Sequence, residues 1–197
     1  LSSQSVGVLP DSIKFTANGQ QLVVANEGQP NADYSQDPAG SISVLDIRDR
    51  RTDLGSSGIS PLVISHVLLD FNGFAAPTPG VLDGTALRFS TSIPGTSTFA
   101  ADLEPEAIAI RNGYAYVTLQ EANGIAKVNL TTRTIEALAP LGAVNFTRQF
   151  VDLTDNGSAS PVFGNLLNGS AIKGLRMPDG IDSFTHRGET YLITANE

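Results

Sequence analysis

Apolar and polar residues alternate along this chain in short runs, and the runs recur in a fixed order. Pro10-Asp11 opens an apolar stretch through Ile13 and Phe15, a turn at Asn18-Gly19 follows, and Leu22-Val23-Val24-Ala25 leads to Asn26-Glu27. The order returns from Pro105-Glu106 through Asn112-Gly113 to Leu119-Gln120-Glu121. It returns again from Pro178-Asp179 through Arg187-Gly188 to Ala195-Asn196-Glu197. Apolar runs joined by Asn-Gly predict β-hairpins, because both turn residues must take positive φ. Arg187-Gly188 is a weaker form of the same signal. Each of the first two hairpins is followed by a third alternating strand, at 41–47 and 125–130, and by a fourth, at 62–69 and 134–138. No stretch carries an apolar stripe of helical period.

Four antiparallel strands followed by a restart form the unit of a β-propeller blade. The expected fold is therefore all-β, a β-propeller of four-stranded antiparallel blades, present as about two and a half blades with long loop insertions. The blades span 10–70 and 103–141, and 178–197 forms the inner hairpin of the next, all within one propeller domain over 1–197. The segments 71–102 and 142–177 are rich in Gly, Pro, Ser, Thr and Asn, and read as surface-loop insertions. Such an open set leaves sheet faces bare, so the remaining blades of the same polypeptide are an expected partner. A start without Met and a stop inside a repeat read as a piece of a longer protein.

Pairing each hairpin about its turn gives the repeat a chemical meaning. Asp11 arrives beside Glu27, Glu104 and Glu106 beside Glu121, and Asp179 beside Glu197. In a propeller these strand ends share one rim of the central channel, so the acids are expected to gather there. Like charges at that spacing require a cation, a basic neighbour or raised pKa values. Oxygen-only surroundings suit Ca2+ or Mg2+. The competing role for these acids is architectural, since an Asp after Pro also caps turns through backbone N–H groups. Asp152, Asp155 and Asn156 form a secondary candidate metal loop without the full EF-hand pattern. Asn31, Asp33 and Asp37 read as a solvated acidic loop leaving the same rim.

Composition narrows the classes. The net charge of −8, with only 12 Lys and Arg, argues against nucleic acid and anionic membranes as partners. The chain has no cysteine, which excludes disulfides, thiolate metal sites and a catalytic thiol. No run is apolar enough for direct membrane insertion. His66 and His186 fall in distant parts of the repeat, which disfavours a histidine metal centre or a Ser-His-Asp triad. No nucleotide fingerprint is present, so no nucleotide or organic cofactor is expected. The sequons at Asn129, Asn145, Asn156 and Asn168 bear on glycosylation only in a eukaryotic secreted protein.

The strings Pro10-Asp11-Ser12-Ile13-Lys14-Phe15, Leu22-Val23-Val24-Ala25-Asn26-Glu27-Gly28, Asp102-Leu103-Glu104-Pro105-Glu106, Ala115 to Asn123 and Met177-Pro178-Asp179-Gly180-Ile181 resemble the choice-of-anchor I propeller family. The resemblance covers nearly the whole chain. Mesenchyme-specific cell-surface glycoproteins and bacterial proteins resembling alkaline phosphatases or phytases belong to that family. It implies an extracellular, periplasmic or cell-surface location. Two functions follow. The first is a binding or adhesion module for a surface or matrix component, with metal at the acidic rim. The alternative is a Ca2+-dependent phosphomonoesterase acting on a phosphorylated small molecule.

Overall fold

The computed structural model describes residues 3–49, 62–82, 84–89, 98–152, 162–163 and 172–197, and for 49, 62–63 and 162–163 the backbone alone. Among them every regular element is a strand, and none is a helix. Strands β1 (Pro10–Phe15), β2 (Gln21–Asn26), β3 (Ser41–Asp49) and β4 (Leu62–Leu69) make one antiparallel sheet in sequence order. Strands β5 (Pro105–Arg111), β6 (Tyr114–Leu119), β7 (Gly124–Asn129) and β8 (Thr134–Pro140) make a second of the same topology. Within 142–177 lie β9 (Ala143–Asn145), β10 (Phe150–Val151), β11 (Val162–Phe163) and β12 (Lys173–Leu175), which pair as β9 with β12 and β10 with β11. The last hairpin is β13 (Pro178–His186) with β14 (Glu189–Asn196). The first strands of the three copies are neighbours, with β5 packed between β1 and β13.

The turns differ from expectation at the first hairpin. Asn112 (φ 50°) with Gly113 (φ 80°), and Arg187 (φ 50°) with Gly188 (φ 85°), form the two-residue turns with positive φ at both positions. At the first hairpin only Gly19 is left-handed, and the pairing of Phe15 with Leu22 leaves a longer loop. There the Asn18 carboxamide oxygen accepts from the Gln20 N–H at 3.0 Å, and Gly19 N–H reaches Thr16 O at 2.8 Å. Asn18 therefore caps the turn with its side chain instead of taking the left-handed backbone.

The insertions are not merely surface loops. Phe71, Leu87, Phe89 and Phe99 are buried and join the core formed by Val23, Ile42, Val44, Leu103, Val117, Leu119 and Val128. Phe89 and Phe99 meet edge to face at 5.5 Å. Leu87 lies so close to Gly124 that a Cβ there would sit 2.1 Å from Leu87 Cδ2. These described residues of the linking segment are thus part of the material between the two sheets.

A polar clamp joins the sheets at the opposite end from the repeated acids. Asp46 is buried and accepts from Gln21 Nε2 at 2.9 Å, Ser65 Oγ at 3.1 Å and the Arg133 guanidinium of the second sheet. Gln21 Nε2 also donates to Leu130 O at 3.0 Å. Burial raises the Asp46 pKa, but the donors outweigh it and hold the carboxyl below its ordinary value. Asp46→Ala is expected to cost about 1–2 kcal/mol in urea denaturation at pH 7, the partly exposed Arg133 limiting the effect. That cost should vanish as the pH falls through the lowered Asp46 pKa, since protonation removes the native advantage.

Two faces are left uncovered. Ile13 and Phe15 are exposed on β1. Phe184, Tyr191 and Ile193 are exposed on the last hairpin, where the Phe184 and Tyr191 rings stack at 5.2 Å. Among the described residues, β14 pairs on one edge only.

Candidate functional site

All three hairpins carry an irregularity that the turn-based pairing did not anticipate. The register slips between Pro10 and Ser12, between Pro105 and Ile108, and between Pro178 and Ile181. In each copy two residues oppose one: Asp11-Ser12 face Ala25, Glu106-Ala107 face Thr118, and Asp179-Gly180 face Ala195. This is the geometry of a β-bulge, which interrupts the ladder and re-aims the side chains beside it. The first bulge residue is the acid every time. The repeated acid is thus built into the backbone of the strand.

The closing glutamates are fixed from the other side of the hairpin. Asn26 is fully buried, accepts from Gly7 N–H at 3.1 Å, and donates to Ser41 O at 3.2 Å and Ser43 Oγ at 3.0 Å. It anchors the end of β2, and Glu27 N–H then bonds to Leu9 O at 2.9 Å. After Glu121, buried Asn123 donates to Gly142 O at 3.0 Å and accepts from Arg176 N–H at 2.9 Å and Met177 N–H at 3.1 Å. That residue ties the end of the second hairpin to the start of the third. Gly40 closes the rim between the first two copies. A Cβ on it would lie 1.9 Å from Leu103 O and 3.0 Å from Glu27 O.

The acids influence one another as neighbours. Glu27 is shifted upward by burial, then by Asp11 and Glu121. Burial, followed by Glu121 and Glu27, pushes Glu104 up to about 7. Burial, followed by Glu121, Glu27, Asp179 and Asp11, pushes Glu106 up to about 8. Every charge named here is a carboxylate. Glu106 Oε2 and Glu121 Oε2 are enclosed and have no hydrogen-bond partner. Asp11, Glu27, Glu104, Glu106, Glu121 and Asp179 therefore form one electrostatic group centred on Glu121. Glu197 stands further along, exposed, where it accepts from Gln120 Nε2 at 2.9 Å.

Sequence reasoning missed two contributors, Asp102 and Arg88, and read a third, Asp37, as merely solvated beside the same rim. Asp102 and Asp37 both add to the upward shift of Glu104, although Asp37 read as part of a solvated loop. Asp33 in the same loop is a local cap, bonded to Ser35 N–H at 3.1 Å and fully exposed. Arg88 donates from Nη1 to Glu121 O at 2.9 Å, so its charge reaches the backbone of the rim. Its position in an insertion gave no signal. His66 lies in β4 and His186 at the end of β13, in different sheets.

The all-oxygen donor set matches a hard cation in kind. Among the described residues, however, no three Asp, Glu or His side chains converge to metal-ligand geometry. Of the secondary loop only Asp152 is described; Asp155 and Asn156 lie outside the described residues, as does the Asn168 sequon. Asn129 donates to Glu136 Oε1 at 2.7 Å, and Asn145 accepts from Thr147 N–H at 2.9 Å. No helix among the described residues is long and apolar enough to cross a membrane. No curated protein and no solved structure matches the chain significantly. The sequence pattern of the choice-of-anchor I domain does match, over residues 1–197, and the chain belongs to that family.

Proposed function

We propose that this chain is part of an extracellular, surface-anchored β-propeller that acts as a binding module, and that its acidic rim holds Ca2+. The choice-of-anchor I membership supports the location and the repeat architecture. The stacked sheets with adjacent first strands support a propeller, as do the bare apolar residues Ile13, Phe15, Phe184, Tyr191 and Ile193. Further blades of the same polypeptide would cover those faces.

One observation carries the cation reading: Glu106 Oε2 and Glu121 Oε2 are buried without partners among carboxylates. An unpaired buried charge is costly, and a hard cation removes that cost. Glu106 and Glu121 would hold the ion, with water completing its oxygen shell. The ion offsets part of the negative charge of the rim, and oxygen groups of a surface or matrix component would replace its bound water. The geometry favours binding over phosphomonoester hydrolysis. The charges acting on Glu27, Glu104 and Glu106 are all negative, and the nearby Arg88 donates to a backbone carbonyl.

Calcium titration tests this directly. The melting temperature should rise with Ca2+ concentration, following binding to the native state alone. Glu121→Gln should abolish that rise while leaving the metal-free protein folded. A melting temperature indifferent to millimolar Ca2+ would sink the cation reading.

A further inference from the structure

We infer that Thr118 is the positioning residue of the rim, linking the Glu106 bulge to the Asp179 bulge of the next copy. This rests on the cation reading for its functional consequence, while the linkage stands on geometry alone. Thr118 is fully buried, and its Oγ1 accepts from Ala107 N–H at 2.9 Å. Ala107 is the second residue of the bulge that begins with Glu106. The same hydroxyl lies 3.3 Å from Asp179 O and 3.5 Å from Ala107 O. Its single proton can serve one carbonyl at a time, and the nearer is that of Asp179.

The other two copies supply an internal comparison. The residue opposite the bulge is Ala25 in the first and Ala195 in the third, neither of which can make such bonds. Only the middle copy has a hydroxyl there. That copy also contains both enclosed, unpartnered carboxylate oxygens, on Glu106 and Glu121. A bulge leaves its extra residue outside the ladder, so its N–H needs a partner from elsewhere. Thr118 provides one and, through Asp179 O, sets the distance between adjacent acids. A second tie runs parallel to it, from Gln120 Nε2 to Glu197 Oε2 at 2.9 Å. The middle hairpin thereby holds both acids of the third copy's rim.

Three variants separate positioning from simple core packing: Thr118→Val, Thr118→Ala and Thr118→Ser. Alanine is the residue the fold already accepts at positions 25 and 195, so it guards against a valine variant that fails to fold. In the metal-free chain, valine and alanine should speed hydrogen exchange at the Ala107 amide by about tenfold, the worth of one buried hydrogen bond. Both should also shift the amide resonance of Gly180, whose peptide contains the Asp179 carbonyl. In calorimetric titration both should weaken Ca2+ binding by about tenfold, and serine should restore all three readouts. A residue that only fills space would change the melting temperature and leave Gly180 and Ca2+ affinity untouched. An unmoved Gly180 resonance, or a serine variant that behaves like alanine, would overturn the inference. If the wild-type chain binds no Ca2+ but the amide responses appear as stated, the linkage is upheld and the cation reading falls.

Discussion

Phe71→Ala is expected to remove about 3–5 kcal/mol of stability, the largest loss of any single truncation considered for this chain. Phe71 immediately follows the segment that closes the first sheet, at the start of what the sequence presents as an insertion. It is 1% exposed and belongs to the same core as Leu87, Leu103 and the inward residues of β2, β3, β6 and β7. Removing its ring forfeits the transfer free energy of the buried atoms and leaves a cavity between rigid sheets, which relax poorly. Urea denaturation at constant slope measures the loss. Phe150→Ala supplies the contrast, because Phe150 is 72% exposed and its truncation should change stability by less than about 0.5 kcal/mol. Equal small effects at both positions would show that the linking segment does not pack as described.

That segment marks the boundary of what the sequence made legible. The strands of the two four-stranded sheets and the final hairpin could be read because their signals are local: period-2 alternation and a Gly at each of the three repeated hairpin turns. The apolar anchors at Phe71, Leu87, Phe89 and Phe99 follow no period and stand among Gly, Pro, Ser and Thr, so composition pointed to a surface loop. Their burial is decided by the gap between two sheets, a property of tertiary packing. The short ladders β9 with β12 and β10 with β11 escaped for a related reason, being two or three residues long.

The rim was legible in outline. Hairpin pairing placed each acid near its partner, and the common electrostatics of Glu27, Glu104, Glu106 and Glu121 agree with that placement. The bulge was not legible, because proline at its start and an acid after it are equally at home in a regular strand end. Nor could pairing within one hairpin reveal which charges approach from the next. Asp37 and Asp102 reach Glu104 through loop paths, and Thr118 reaches Asp179 across two copies. Glu197, identical in its place in the repeat, is exposed and bonded to Gln120, so equal sequence position did not bring equal environment.

The metal-free protein should lose stability as the pH rises from about 5 to about 8, and Glu106→Gln should flatten most of that decline. Glu106 carries a folded-state pKa of about 8 against an ordinary value of 4.5. Between those values the native protein keeps a proton that the unfolded chain releases. Unfolding therefore becomes easier with each rise in pH through this window, and the penalty levels off above the folded value. Glu104, pushed up to about 7, adds a decline of the same sign. Glu106 is partly exposed, so solvent screening reduces the full linkage value, and a difference of about 2 kcal/mol between pH 5 and pH 8 is the expected size. The measurement is urea denaturation across this range with a chelator present, comparing wild type with Glu106→Gln. Glutamine keeps the shape and loses the charge, so the variant should be the more stable protein at pH 8 and nearly equal to wild type at pH 5. A wild-type protein that gains stability over the same range would mean that the acids are not crowded as the bulges place them. Saturating Ca2+ at pH 8 should raise the stability of wild type far more than that of the variant, because the cation supplies the charge that glutamine makes unnecessary.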